Sequence, residues 1–197
     1  MTLRYAPGES FVNSKQRRVP VSLDAPVFTL THAMGFKGVL GGEYNFNRTE
    51  ASIWKRFWLP ASWGKIDCSV KAGAEWNTVP FPLLILPEAN LSYITQRETF
   101  CLINNMEFLN DRFASMSISY DMNGKLFNRI PLLKNLKWRE MFRVRALWGT
   151  LTDKNNPFKS SNPDLFRFPT RDGKFTSFVM DPKVPYVEAS VGIYNIF

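Results

Sequence analysis

Gly64-Lys65-Ile66-Asp67-Cys68-Ser69-Val70-Lys71-Ala72-Gly73-Ala74-Glu75-Trp76 alternates without a slip. In an extended chain Ile66, Cys68, Val70, Ala72, Ala74 and Trp76 share one side. Lys65, Asp67, Ser69, Lys71, Gly73 and Glu75 share the other. A helix would bring Lys65, Ser69 and Val70 nearly together and mix the two classes. The stretch therefore reads as a strand with one oily and one polar face.

The same period recurs outward from it. Ala114, Met116, Ile118, Tyr120 and Met122 oppose Ser115, Ser117, Ser119 and Asp121. Phe142, Val144, Ala146 and Trp148 oppose Arg143 and Arg145, and Val187, Ala189, Val191 and Ile193 oppose Glu188, Ser190 and Gly192. Residues 26–36 carry Phe28, Leu30, Met34 and Phe36 in phase, and Leu3 with Tyr5 marks a strand at the start. Residues 43–58 form a long strand whose apolar phase slips between Phe46 and Ala51, which predicts a bulge. Phe100, Leu102, Met106 and Phe108 are in phase over residues 99–109. A turn at Asn110-Asp111-Arg112 would keep every apolar side chain of 99–122 on one face, as would one uninterrupted strand. The expected total is about eight strands. Ile130-Pro131-Leu132-Leu133 reads as a short amphipathic turn at a membrane edge.

Composition chooses between lipid and water as the surroundings. The chain has 197 residues, 45% hydrophobic and 21% charged, which suits one folded domain over residues 1–197 and excludes a disordered one. No run of about 18 apolar residues exists, so no transmembrane helix is expected, whereas barrel strands need none. Strands of about 10 to 13 residues exceed the 5–6 typical of soluble sheets and match the 9–11 that a tilted membrane strand needs. Trp54, Trp58, Trp63, Trp76, Trp138 and Trp148 lie mostly near strand ends, where an aromatic girdle would sit. The connections are unequal, long at 77–96 and 152–183 and short at 59–64, as in outer-membrane barrels. The fold class expected is all-β, an antiparallel transmembrane β-barrel present as an incomplete piece. The alternative is a soluble β-sandwich or clamshell that binds an apolar ligand or a partner protein.

Chemistry-bearing constellations do not emerge. There is no G-x-S-x-G, P-loop, H-E-x-x-H or C-x-x-C pattern. The single histidine, His32, sits in an alternating run and reads as structural. Cys68 and Cys101 read as small apolar strand residues. Glu43 and Glu50 read as lumen or rim charges, and Lys134, Lys137 and Arg139 as a charged edge within reach of lipid phosphates. No catalytic, cofactor-binding or metal-binding residue is assigned. The net charge is +8, but the densest basic cluster, Lys15, Arg17 and Arg18, is too small to argue for nucleic acid.

Several stretches carry a likeness. They are Pro80-Phe81-Pro82-Leu83-Leu84, Glu107-Phe108-Leu109-Asn110-Asp111-Arg112-Phe113-Ala114-Ser115, and Asn128-Arg129-Ile130-Pro131-Leu132-Leu133-Lys134 with Leu136-Lys137-Trp138-Arg139-Glu140. The last is Pro185-Tyr186-Val187-Glu188-Ala189-Ser190-Val191-Gly192-Ile193-Tyr194-Asn195-Ile196-Phe197. Together they resemble the C-terminal barrel of an uncharacterised outer-membrane family of Bacteroidota, whose members pair it with an N-terminal carboxypeptidase-like regulatory domain. The barrel is also distantly similar to the surface-antigen superfamily that includes outer-membrane insertases. There the comparable long loop carries an Arg-Gly-Phe-type motif. Here it reads Pro87-Glu88-Ala89-Asn90-Leu91-Ser92-Tyr93, so insertase activity is not carried over.

The resemblance implies further strands after Phe197, and a signal peptide and regulatory domain before Met1. Residues 1–5 contain no apolar leader segment themselves. The expected function is a non-enzymatic outer-membrane barrel segment with a transport, receptor or envelope-assembly role. The expected partners are outer-membrane lipid and the remainder of the barrel, with no nucleic acid and no cofactor. A label on Cys68 tests the orientation. Quenching by a lipid-phase reagent supports the barrel, and protection from that reagent supports the dry core of a sandwich.

Overall fold

A computed structural model describes residues 1–93, 96, 98–162 and 165–196. In chain order the strands are β1 (Thr2–Tyr5), β2 (Phe11–Asn13), β3 (Arg18–Pro20), β4 (Val27–Gly35), β5 (Phe46–Trp58), β6 (Lys65–Glu75) and β7 (Arg112–Asp121). The helix α1 (Pro131–Leu136) precedes β8 (Arg139–Thr150), β9 (Thr170–Arg171), β10 (Lys174–Phe175) and β11 (Tyr186–Tyr194). One antiparallel sheet runs β1-β4-β5-β6-β7-β8-β11, so each strand pairs with the next long strand along the chain. Two small hairpins, β2–β3 and β9–β10, lie in the connections. The sheet is open, with β1 and β11 each bonded on one side only. Ile94 and Thr95 of the 77–96 connection and the terminal Phe197 lie outside the described residues.

Register carries the alternation from strand to strand. Tyr5 pairs with Phe28, Phe28 with Ile53, Ile53 with Val70, Val70 with Met116, Met116 with Ala146 and Ala146 with Val187. This row of apolar side chains crosses all seven strands on one face. Directly opposed side chains on a face sit close enough to pack, so the row is continuous. Among the described residues no second layer covers it: Phe28 is 40% exposed, Ile53 48% and Val70 45%, although the small Ala146 is buried. Leu3, Leu30, Phe57, Phe142, Val144 and Val187 are exposed with them.

The buried residues belong to the other face. Arg56, Ser69, Glu75, Arg143, Arg145 and Glu188 are all buried, and the 76–111 connection bonds to Glu75, Arg145 and Glu188 among them. Two apolar clusters pack there. Val79, Leu84, Leu109, Leu151 and Phe168 form one, and Phe100, Ile103, Leu147 and Met180 the other. Both draw mainly on the 76–111 and 151–185 connections. An ordinary soluble sheet buries its oily face and wets its polar one; here the arrangement is reversed.

Two sequence expectations are corrected. Residues 99–109 form no strand, so the sheet has seven strands and β7 stands alone in the 99–122 interval. Phe100, Ile103 and Leu109 are all buried although they differ in parity, which a strand lying on one layer cannot achieve. The segment instead bends, with Met106 at φ 60°, and touches its neighbours through the isolated bridges Ala89↔Phe100 and Phe108↔Phe178. Cys101 therefore lies in a loop, where it is exposed, rather than in a strand. The second correction concerns β5, which has no bulge: its register runs unbroken from Gly35↔Phe46 to Val27↔Trp54. The apparent slip arises because Phe46 belongs to the covered face. Its ring lies over Gly35 and packs on the Val79 cluster.

Gly64 shows why the β5–β6 turn is specific. Its φ is +89°, and a Cβ there would collide with the Asp121 carbonyl of the neighbouring hairpin. Gly64→Ala should cost roughly 1–3 kcal/mol, read as a lower urea midpoint. Ala61→Gly, at φ 54° in the same turn, should leave the midpoint unchanged or slightly higher.

Candidate functional site

The covered face holds most of the polar side chains that the sheet positions. Strands β5 to β8 and β11 present alternate residues to it: Arg48, Glu50, Ser52, Trp54, Arg56 and Trp58 from β5, and Lys65, Asp67, Ser69 and Lys71 from β6. Ser115, Ser117, Ser119 and Asp121 come from β7, Arg143 and Arg145 from β8, and Glu188 from β11. In register, Ser69 faces Ser117, Asp67 faces Ser119 and Glu188 faces Arg145.

One half of this face is plugged by the 76–111 connection, and the bonds are charge-assisted. Arg145 Nη1 lies 2.6 Å from Glu188 Oε1, with side chains 1% and 5% exposed. Glu188 also accepts from the amides of Cys101 and Leu102 and from the Tyr186 hydroxyl. Arg145 Nη2 donates to the Gln96 carbonyl. Lys71 Nζ reaches Glu88 at 3.0 Å and Glu98 at 2.6 Å, both from the connection. Arg48 donates to the Leu83 carbonyl. At the mouth of the plug, Asp111 accepts from the Thr152 amide and hydroxyl and from Asn155 Nδ2, while Asn155 Oδ1 accepts from the Val79 amide. A buried charge left alone is costly, so these contacts fix where the connection must lie.

The other half is an open cavity of ≈ 830 Å³. Its lining includes Trp54, Trp58, Lys65, Asp67, Ser69, Ser117, Ser119, Asp121, Arg139, Arg143 and Tyr194, with Glu98 of the plug also on its wall. Most of its charges pair within the wall. Arg56 grips Asp67 with two hydrogen bonds of 2.6 and 2.9 Å, Lys65 lies 3.4 Å from Asp121, and the Tyr194 hydroxyl donates to Asp121. Arg56 also lies over both indoles, 5.5 Å from each centroid.

The residues singled out from sequence separate across the structure. Glu50 is on the covered face beside Gly73, and Glu43 is at a rim with Lys37 and Tyr44. His32 lies at the end of the bare face, where its Nδ1 meets the Thr49 hydroxyl, which also accepts from Trp76 Nε1. Among the described residues no group of three or more His, Cys, Asp or Glu is placed to hold a metal ion. Trp54 and Trp58, read as girdle residues, line the cavity instead, whereas Trp76 and Trp148 stand exposed on the bare face. The signal was present, since Trp54 and Trp58 share parity with Ser52 and Arg56.

Residues 1–159 match a family model whose description reads "Family of unknown function (DUF5686) C-terminal domain". No curated protein and no solved structure gave a significant match.

Removing the Glu188 carboxylate should release the plug. In Glu188→Ala the urea unfolding midpoint should fall by the equivalent of about 3–5 kcal/mol. Limited proteolysis should then cut within residues 98–111. Unchanged protection of that segment would show that other contacts hold it.

Proposed function

The chain belongs to that C-terminal domain family, and on this premise we propose that it is a membrane-spanning segment of an outer-membrane β-barrel, non-enzymatic, with a receptor, gated-transport or envelope-assembly role. One observation carries the reading: large apolar side chains of one face stand exposed on β1, β4, β5, β6, β8 and β11 and half-buried on β7, while the chain's own connections fold over the charged face. Each large apolar side chain left in water forgoes about 1.5–3 kcal/mol of burial. Lipid supplies that burial without a second protein layer.

Other features support it. β5, β6, β7 and β8 have 13, 11, 10 and 12 residues, enough to cross the hydrocarbon when tilted. Aromatic side chains stand at two levels of the bare face. Trp76 and Trp148 mark one end, and Phe57, Trp63, Tyr120 and Phe142 the other. Residues 142 and 148 are ~20 Å apart along β8, about 15 Å along the normal at a barrel strand's tilt, so both fit within a barrel's apolar band. At the second level α1 exposes Leu132 and Leu136 beside Lys134 and Lys137, a composition suited to headgroups. Lys55, on the bare face, turns its ammonium to the Asp24 carbonyl, as a snorkelling lysine does.

The open edges bear on closure. Lipid cannot satisfy the unpaired amides of β1 and β11, so further strands must join them. Seven alternating strands leave β1 and β11 running in the same direction. A second copy related by an axis along the membrane normal would meet this one in parallel seams. An odd number of strands from elsewhere keeps every seam antiparallel. The plug and the cavity also need more room than an eight-stranded barrel encloses. The two longest connections, 76–111 and 151–185, leave from one end, and barrels place their longer loops outside the cell. The soluble sandwich has no comparable support, because it needs a second layer over Ile53 and Val70.

Fractionation of the full-length protein tests the reading. It should sediment with outer membranes and dissolve only in detergent. Recovery in the detergent-free soluble fraction would overturn it.

A further inference from the structure

Two tryptophans are on the wrong side of this sheet for a girdle. Trp54 and Trp58 share the polar face of β5 with Ser52 and Arg56, and both line the ≈ 830 Å³ cavity. Neither packs into the two buried apolar clusters, and Trp58 is 54% exposed. A large aromatic surface is therefore held open in a wet, otherwise polar recess.

The recess is preorganised. Arg56, locked to Asp67, lies 5.5 Å from both indole centroids, and Lys65 lies 5.9 Å from the Trp58 centroid. Beyond the indoles the wall mixes hydroxyls with charged groups: Ser69, Ser117 and Ser119 in adjacent registers, with Tyr194, stand among Lys65, Asp67, Asp121, Arg139 and Arg143. Short serine side chains leave volume where longer ones would fill it. The nearby acids are already engaged, Asp67 by Arg56, Asp121 by Lys65, and Glu98 by Lys71. An occupant therefore need not bring a positive charge to compensate them.

Flat apolar platforms beside neutral hydrogen-bonding groups suit a molecule with an apolar face and a rim of hydroxyls. We propose that this cavity is a binding site for a short, neutral saccharide, stacked on Trp54 and Trp58 and hydrogen-bonded to the serines of β6 and β7. Both indole centroids lie 5.5 Å from the Arg56 guanidinium carbon, so the rings are no more than about 11 Å apart, a span that a di- or trisaccharide can bridge. The volume falls in the range of small-molecule sites, roughly 300–1,000 Å³. The proposal rests on the membrane reading, which makes this face the aqueous interior.

The test uses the full-length protein in an amine-oxide detergent, which has no sugar headgroup. Maltotriose, cellotriose and triacetylchitotriose are titrated while intrinsic tryptophan fluorescence and saturation-transfer NMR are followed. At least one should bind saturably. Trp54→Ala and Trp58→Ala should each weaken it by about fivefold or more, Trp58→Phe should retain most of it, and Trp148→Ala should not change it. Saturable binding by none of the three overturns the proposal, as does an equal loss in Trp148→Ala. Brominated lipid separates this failure from that of the membrane reading. Vesicle-reconstituted protein should lose part of its quenching in Trp148→Phe. If that loss occurs without saccharide binding, only the site is wrong. If Trp148 is not quenched at all, the membrane reading fails with it.

Discussion

A sheet with one oily and one charged face can be stable only if each face meets a medium that suits it. Here half of the charged face meets the chain's own connections, and among the described residues no second layer meets the oily face. The exposed Leu, Ile, Val, Phe and Trp side chains from Leu3 in β1 to Ile193 in β11 forgo, in water, a sum of roughly tens of kcal/mol. Folded domains have only about 5–15 kcal/mol of net stability. The oily face must therefore be buried, and every other feature of the chain follows from how.

The covered face shows the complementary economy. Guanidinium and carboxylate groups withdrawn from water need partners in good geometry. Arg145 with Glu188, Arg56 with Asp67 and Lys71 with Glu98 provide them, and the 76–111 connection supplies amides and carbonyls for what remains. The connection thus does two jobs. It neutralises half of the face, and by stopping there it leaves the other half hollow. The division between plug and cavity runs close to Glu98, which serves both.

The strands were legible wherever one residue in two told the same story. β6, β7, β8 and β11 lie where the alternation put them, because register in a two-faced sheet leaves no freedom to slide. The unequal connections were legible too. Residues 99–109 were misread because an apolar segment that plugs a sheet shows apolar residues in phase by chance, and only Ile103 and Leu109, off that phase, betray it. Phe46 imitated a bulge because the covered face is itself apolar where the plug packs on it. Trp54 and Trp58 were assigned by residue type and position near a strand end, although their parity pointed to the polar side. The Arg145–Glu188 pair was foreshadowed only as two charges of matching phase, since their contact requires β8 and β11 to be neighbours.

The most direct measurement is a nitroxide scan along β6 and β11 of the protein in bilayers, reading collision with oxygen and with a water-soluble nickel complex. Oxygen accessibility should peak at Ile66, Val70, Ala72, Val187, Val191 and Ile193 and fall at the residues between them, with nickel access low at all six peaks. High nickel access at those six positions, or no alternation at all, would contradict the account.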